Sequence, residues 1–78
     1  MQKWEYCYVC HHYFGGSEEI FIIKNDGTVD KKYKGGEAVM ENAILLINEL
    51  GNQGWEVMGT TVSNDEHGWT LKRPVEDI

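Results

Sequence analysis

Residues 3–14 alternate with a period of two. Trp4, Tyr6, Tyr8, Cys10 and His12 take one face, and Glu5, Cys7, Val9, His11 and Tyr13 take the other. The aromatic and β-branched content makes this a strand rather than a loop. Gly15-Gly16-Ser17 reads as a turn. Ile20 to Ile23 is a continuous apolar run, as in a strand buried on both faces. Asn25-Asp26-Gly27 is a hairpin signal, and Thr28 to Tyr33 is a third strand polar enough for a sheet edge.

The period then changes. Gly35-Gly36 leads into a helix predicted over Glu37 to Leu50. At about 100° per residue, Val39, Ala43, Leu46, Ile47 and Leu50 share one side, with Met40 and Ile44 widening the stripe. Leu45 falls among the polar residues. Gly51 follows the last core leucine, where a left-handed cap is expected, and Gly54 turns the chain before Trp55. Trp55 to Ser63 is the fourth strand, Asn64 to Gly68 a polar turn, and Trp69 to Arg73 the fifth strand. Pro74 ends pairing and begins a frayed tail over 74–78.

The order is therefore βββαββ. The expected class is α+β, an antiparallel sheet of about five strands with one helix packed on one face, in a single domain. Short links make strands 1–2, 2–3 and 4–5 hairpins. The strand order stays open. Trp4, Tyr6, Tyr8, Trp55, Val57, Trp69 and Leu71 are expected to face the helix, because Glu5, Glu56, Thr70 and Lys72 then point away. Cys7, Val9, Met58 and Val62 would line the opposite face.

Several of these motifs occur in an order that resembles a known family. Lys3-Trp4-Glu5-Tyr6, Ile47-Asn48-Glu49-Leu50-Gly51, Gly54-Trp55-Glu56 and Leu71-Lys72-Arg73-Pro74 are similar to the signature segments of domain of unknown function 4177. The resemblance covers the two ends and the helix. It departs at Ile47, where leucine is the pattern, and over residues 11–36. It implies a fold type and brings no activity.

Composition narrows the function. Seventy-eight residues make one small domain, and 41% hydrophobic residues with 3 Trp, 4 Tyr and 2 Phe suffice for a small core. No apolar run is long enough for a membrane span, and Met1-Gln2-Lys3-Trp4 enters a strand without a signal peptide. The expected location is cytoplasmic, with both cysteines reduced. A net charge of -6 repels phosphate backbones and anionic membranes. Lys31, Lys32 and Lys34 form the one basic cluster, which reads as solvated lysines blunting an edge strand.

Candidate chemistry is sparse. Cys7-Tyr8-Val9-Cys10-His11 matches a c-type haem attachment pattern. Within a strand, however, Cys7 and Cys10 point to opposite faces, and about 10 Å of extended chain between them excludes a disulfide. Cys7, Cys10, His11 and His12 have the atom types for zinc, but a structural site wants two ligand pairs on knuckle turns and only one pair exists, with His67 as a remote recruit; partial use, such as Cys10 with His12 on one face, stays open. No nucleophile among Cys7, Cys10, Ser17 and Ser63 sits in a catalytic motif. Glu18-Glu19 and Asp65-Glu66 flank turns, where charge is ordinary. Gly35-Gly36 lacks the lysine of a phosphate cradle, and Glu37 would repel phosphate. No catalytic residue, cofactor or metal is therefore expected.

Two functions remain. The first is a non-catalytic binding or assembly module, either a homodimer or higher homo-oligomer or a subunit beside a larger protein partner, with no nucleic-acid or membrane partner. Its candidate interface residues are Val9, Phe21, Ile23, Met58, Val62 and Leu45. The second is a small-molecule binding protein with an aromatic platform of Tyr6, Tyr8 and Trp69.

Overall fold

The computed structural model describes residues 1–14 and 17–75. Five strands and one helix follow in the expected order: β1 (Trp4–Phe14), β2 (Ser17–Ile23), β3 (Val29–Lys34), α1 (Met40–Asn52), β4 (Glu56–Val62) and β5 (Glu66–Pro74). The fold is α+β, one antiparallel sheet with a single helix. The strand order is β3-β2-β1-β5-β4, so the first and last strands pair at its centre. Gly15 and Gly16 of the expected first turn, and 76–78 of the expected tail, lie outside the described residues. Pro74 does not end pairing: it stands opposite Trp4, and the Val75 N–H donates to the Lys3 carbonyl at 2.9 Å.

The hairpin signal at Asn25-Asp26-Gly27 holds. The Gly27 N–H closes the turn on the Lys24 carbonyl at 2.9 Å, and the Asp26 carboxylate accepts from the Thr28 N–H at 3.0 Å and its hydroxyl at 2.7 Å. A second correction concerns β5, which begins at Glu66 rather than Trp69. The turn before it shrinks to Asn64-Asp65, closed by the Ser63 N–H donating to the Glu66 carbonyl at 2.9 Å. Polarity misled there, because Glu66, His67 and Gly68 pair with β1, and His67 and Gly68 also with β4, despite their turn-like composition.

Both helix ends differ from expectation. Gly35–Glu37 forms a 3-10 turn, Val39 is extended, and the α-helix starts only at Met40. At the far end Gly51 is inside the helix and has no positive φ. The left-handed residue is Gly54, at φ 92°. Its N–H donates to the Gly51 carbonyl at 3.1 Å, and the Trp55 N–H reaches back to the Leu50 carbonyl at 3.1 Å. These paired bonds are a Schellman motif, completed by packing of Trp55 against the cluster containing Leu50. The apolar stripe ends at Leu50, but the backbone continues until a glycine can take the left-handed turn.

The largest correction is the parity of β1. Cys7 pairs with Leu71 and Val9 with Trp69, and all but Trp69 are buried with Ala43, Leu46 and Leu50 of the helix. Ile20 and Ile22 of β2 complete this core. Cys7, Val9 and His11 therefore face the helix, whereas Trp4, Tyr6 and Tyr8, expected there, face away. Trp69, Leu71 and Val57 do lie on the helix side. Both sides of β1 carry apolar side chains, so periodicity could not choose between them. Size and polarity decide: small Cys7 and Val9 let a helix approach, and the phenols keep contact with water. Full burial of Leu71 and Ile20 contributes roughly 1.5–3 kcal/mol each.

Among the described residues, His11 is the one buried polar side chain on this face. Its Nε2–H donates to the Ala38 carbonyl at 2.7 Å, with a Glu18 carboxylate oxygen 3.3 Å away. Ala38 is itself fully buried, so this bond ties β1 to the segment that launches the helix.

The cap assignment makes opposite predictions for two glycines. Gly54→Val should lower stability by about 1 kcal/mol or more, because a β-branched residue resists φ 92°. Gly51→Ala should raise it by up to ~1 kcal/mol, since the position is helical, exposed and open around an added Cβ. Urea midpoints check both, and a loss at Gly51 with none at Gly54 would return the cap to Gly51.

Candidate functional site

The open face of the sheet carries the chemistry. Tyr8, Cys10 and His12 alternate along one side of β1, and Glu66 of β5 stands directly opposite His12. Cys10 lies opposite Gly68, which has no side chain to fill the space between strands. The Tyr8 ring lies over that gap: a Cβ built on Gly68 would sit 1.7 Å from the Tyr8 hydroxyl oxygen. From there the phenol donates to Glu66 Oε1 at 2.7 Å. The Cys10 thiol donates to the same oxygen at 3.2 Å. A ligand atom from each of Cys10, His12 and Glu66 lies within 4.8 Å of the others.

Burial and hydrogen bonding set the electrostatics. Desolvation, and then the bond to the Glu66 carboxylate, push the Tyr8 phenol up to about 12. Thr61 pulls weakly the other way. The Cys10 thiol is also pushed up to about 12, first by burial and then by its bond to Glu66. Glu66 is held below the ordinary carboxylate range by the Tyr8 phenol and then the Cys10 thiol. The set is thus a buried neutral thiol and a phenol arranged around one carboxylate. Neither is a ready nucleophile, because a thiol so hard to ionise presents almost no thiolate.

The residues singled out in the sequence scatter over several surfaces. Tyr6 and Tyr8 lie on the open face, whereas Trp69, opposite Val9, lies on the helix side; the three form no common platform. Val9 is fully buried in the core and unavailable to a partner. Phe21 and Ile23, opposite Cys10 and Tyr8, are half-buried on the open face. Met58 occupies a bulge in β4, Val62 lies opposite His67 near the end of that strand, and Leu45 projects from the exposed side of the helix. Cys7 and Cys10 are free thiols on opposite faces, so the haem-like run cannot present both cysteines together. Cys10 and His12 do share a face, as the alternation indicates.

Glu66 is the residue that sequence reasoning missed. Its position beside Asp65 read as turn charge. Only the β1–β5 register carries it across the sheet from His12. A faint sequence signal was His67-Gly68-Trp69, which alternates with Glu66 as a strand would.

A cleft of about 220 Å³ opens on the helix side between Cys7, Ile22, Leu50, Trp55 and Arg73. Arg73 is already engaged there: it pairs with Glu5, donates to the Gln53 carbonyl at 3.1 Å and stacks over Trp55 at 4.4 Å. An adjoining open cleft of about 530 Å³ is lined by Glu5, Gln53, Gly54, Arg73, Pro74 and Val75. No known family model, curated protein or solved structure matches this chain.

The phenol of Tyr8 offers a direct optical test. Its folded value lies above its unfolded one, so the stabilisation it contributes is complete below about pH 10 and fades as the pH rises through about 12. Ultraviolet titration should show one tyrosine ionising at about 12, and Tyr8→Phe should remove it. Gly68→Ala should return that tyrosine toward ~10, because the added methyl displaces the ring from Glu66. An unchanged late tyrosine in Gly68→Ala would show that the ring does not rest on Gly68.

Proposed function

We propose that this chain is a non-catalytic assembly module that pairs with a second copy of itself through the free edge of β4. The observation that carries the reading is the contrast between the two sheet edges. On β3, Lys31, Lys32 and Lys34 and a bulge opposite Ile20 and Phe21 blunt the edge. On β4 every residue from Glu56 to Val62 is exposed, and the only charge is at its first position. An edge of this kind, free of lysine and proline, is a template for another strand.

The ladder suggests a register. The Ser63 N–H points inward to the Glu66 carbonyl. By antiparallel alternation Thr61 also turns its backbone groups toward β5, and Thr60 and Val62 turn theirs outward. A two-fold axis through Thr61 then sets Thr60 opposite Val62 of the second copy, with no like charges opposed. The Met58 bulge lies outside this stretch. Beside it a cleft of about 260 Å³, lined by Met40, Thr60, Val62, His67 and Trp69 among others, offers apolar surface for the second copy to cover.

This moves the interface from where the sequence suggested. The apolar patch expected opposite the helix depended on Cys7 and Val9, which are buried beneath the helix. Lys72 covers Trp4 at 4.2 Å, and Lys31 pairs with Glu19 on the same face. Two free cysteines on opposite faces suit a reducing cytoplasm. Among the described residues, no helix is long and apolar enough to cross a membrane.

Light scattering across a dilution series tests the reading. Wild type should show the mass of two chains and dissociate on dilution. Val62→Pro should be monomeric, because it removes an outward-facing donor without breaking the intramolecular ladder. Val62→Lys should act likewise through edge charge. Leu45→Asp and Phe21→Asp should leave the dimer intact. A wild-type monomer at every concentration would refute assembly, and loss of the dimer with Phe21→Asp alone would move the interface to the open face.

A further inference from the structure

The geometry of the open face points to a metal site: we infer that Cys10, His12 and Glu66 bind a divalent d-block cation of the zinc class. The donor set is a thiol sulfur, an imidazole nitrogen and a carboxylate oxygen, each a regular zinc ligand. Sulfur selects against magnesium and calcium, which take oxygen ligands. Cys10 and His12 alternate on one strand, and Glu66 reaches them from the neighbouring strand directly across from His12. Two ligands two residues apart on a strand and a third across the ladder form a triangle that the backbone itself sets.

The distances suit a small cation. A tetrahedral zinc with bonds of about 2.0–2.3 Å holds its ligand atoms roughly 3.3–3.6 Å apart. Cys10 Sγ and Glu66 Oε1 are already 3.2 Å apart, and the whole set lies within 4.8 Å. His12 and Glu66 are half-buried rather than sealed in the core, so rotation of their side chains can close the remainder. On binding, the Cys10 thiol hands its proton to solvent and the sulfur takes the cation in its place. Three protein ligands leave a fourth position for water or a small donor.

An outer shell is also present. The Tyr8 phenol donates to Glu66 Oε1 and fixes the carboxylate's direction. It can do so because Gly68 leaves room for its ring. Metal-ligating carboxylates are commonly oriented in this way, and losing such a partner weakens affinity by about 10–100-fold. Tyr8 is accordingly a positioning residue rather than a ligand. The inference does not rest on assembly: none of the three ligands belongs to β4.

Cobalt(II) is the probe, because it substitutes for zinc and reports its ligands optically. Titrated into the full, reduced chain, it should bind once per chain and give a thiolate-to-cobalt charge-transfer band. Cys10→Ser should abolish the band. His12→Ala and Glu66→Gln should each weaken binding about tenfold or more, and Tyr8→Phe about 10–100-fold with the band preserved. Cys7→Ser, which alters a thiol beneath the helix, should change nothing. Circular dichroism confirms that each variant is folded, and isothermal titration with zinc measures the affinities. No band in wild type, a band that persists in Cys10→Ser, or a band lost in folded Cys7→Ser would each overturn the assignment.

Discussion

The pairing of β1 with β5 is the constraint on which the rest of the structure depends. It joins the two ends of the chain, with Trp4 opposite Pro74 and His12 opposite Glu66. Without it the chain would be a three-stranded meander and a separate hairpin, joined by a helix with little to cover. Such a long-range closure is entropically costly and must be offset by what it buries. Cys7, Val9 and Leu71 meet beneath the helix because of this pairing, and each is nearly or wholly removed from water. The bond from His11 to the buried Ala38 carbonyl then fastens the helix-launching segment to the same central strand.

The two faces of that central pair have different tasks. On the helix side Cys7, Val9 and Leu71 are small or aliphatic, so the helix can lie close. On the open side Trp4 lies under the Lys72 ammonium and the Tyr8 hydroxyl is hydrogen-bonded to Glu66. Tyr8 shows the principle: its ring fills the gap above Gly68 while its hydroxyl serves Glu66. A thiol in such a place is buried by its own neighbours rather than by the core. That accounts for Cys10 being both inaccessible and surrounded by polar groups.

The open-face cluster and the free edge adjoin one another. Gly68, under the Tyr8 ring, pairs on its other side with Thr61, where the proposed two-fold axis passes. β5 thus carries a residue of the cluster and backs the edge strand. The short Asn64-Asp65 turn holds the two together, since it sets both where β4 ends and where Glu66 enters the sheet.

The element order, the alternation of β1, the hairpin at Asn25-Asp26-Gly27 and the exposed Leu45 were all legible in the sequence. Each is a local matter of period or turn chemistry. So was the separation of Cys7 from Cys10, because side chains three apart on a strand must point to opposite faces. The cap was legible only in kind: a glycine had to close the helix, but Gly51 and Gly54 lie close together, and hydrogen-bond geometry chose the second. What local pattern could not supply was the partner of each strand. The parity of β1 depends on which face the helix covers, and both faces were apolar enough to qualify. The joining of Glu66 to Cys10 and His12 depends on the register between strands at opposite ends of the chain. Residues more than fifty positions apart share no periodicity, so only the burial and hydrogen bonding of the whole sheet could bring them together.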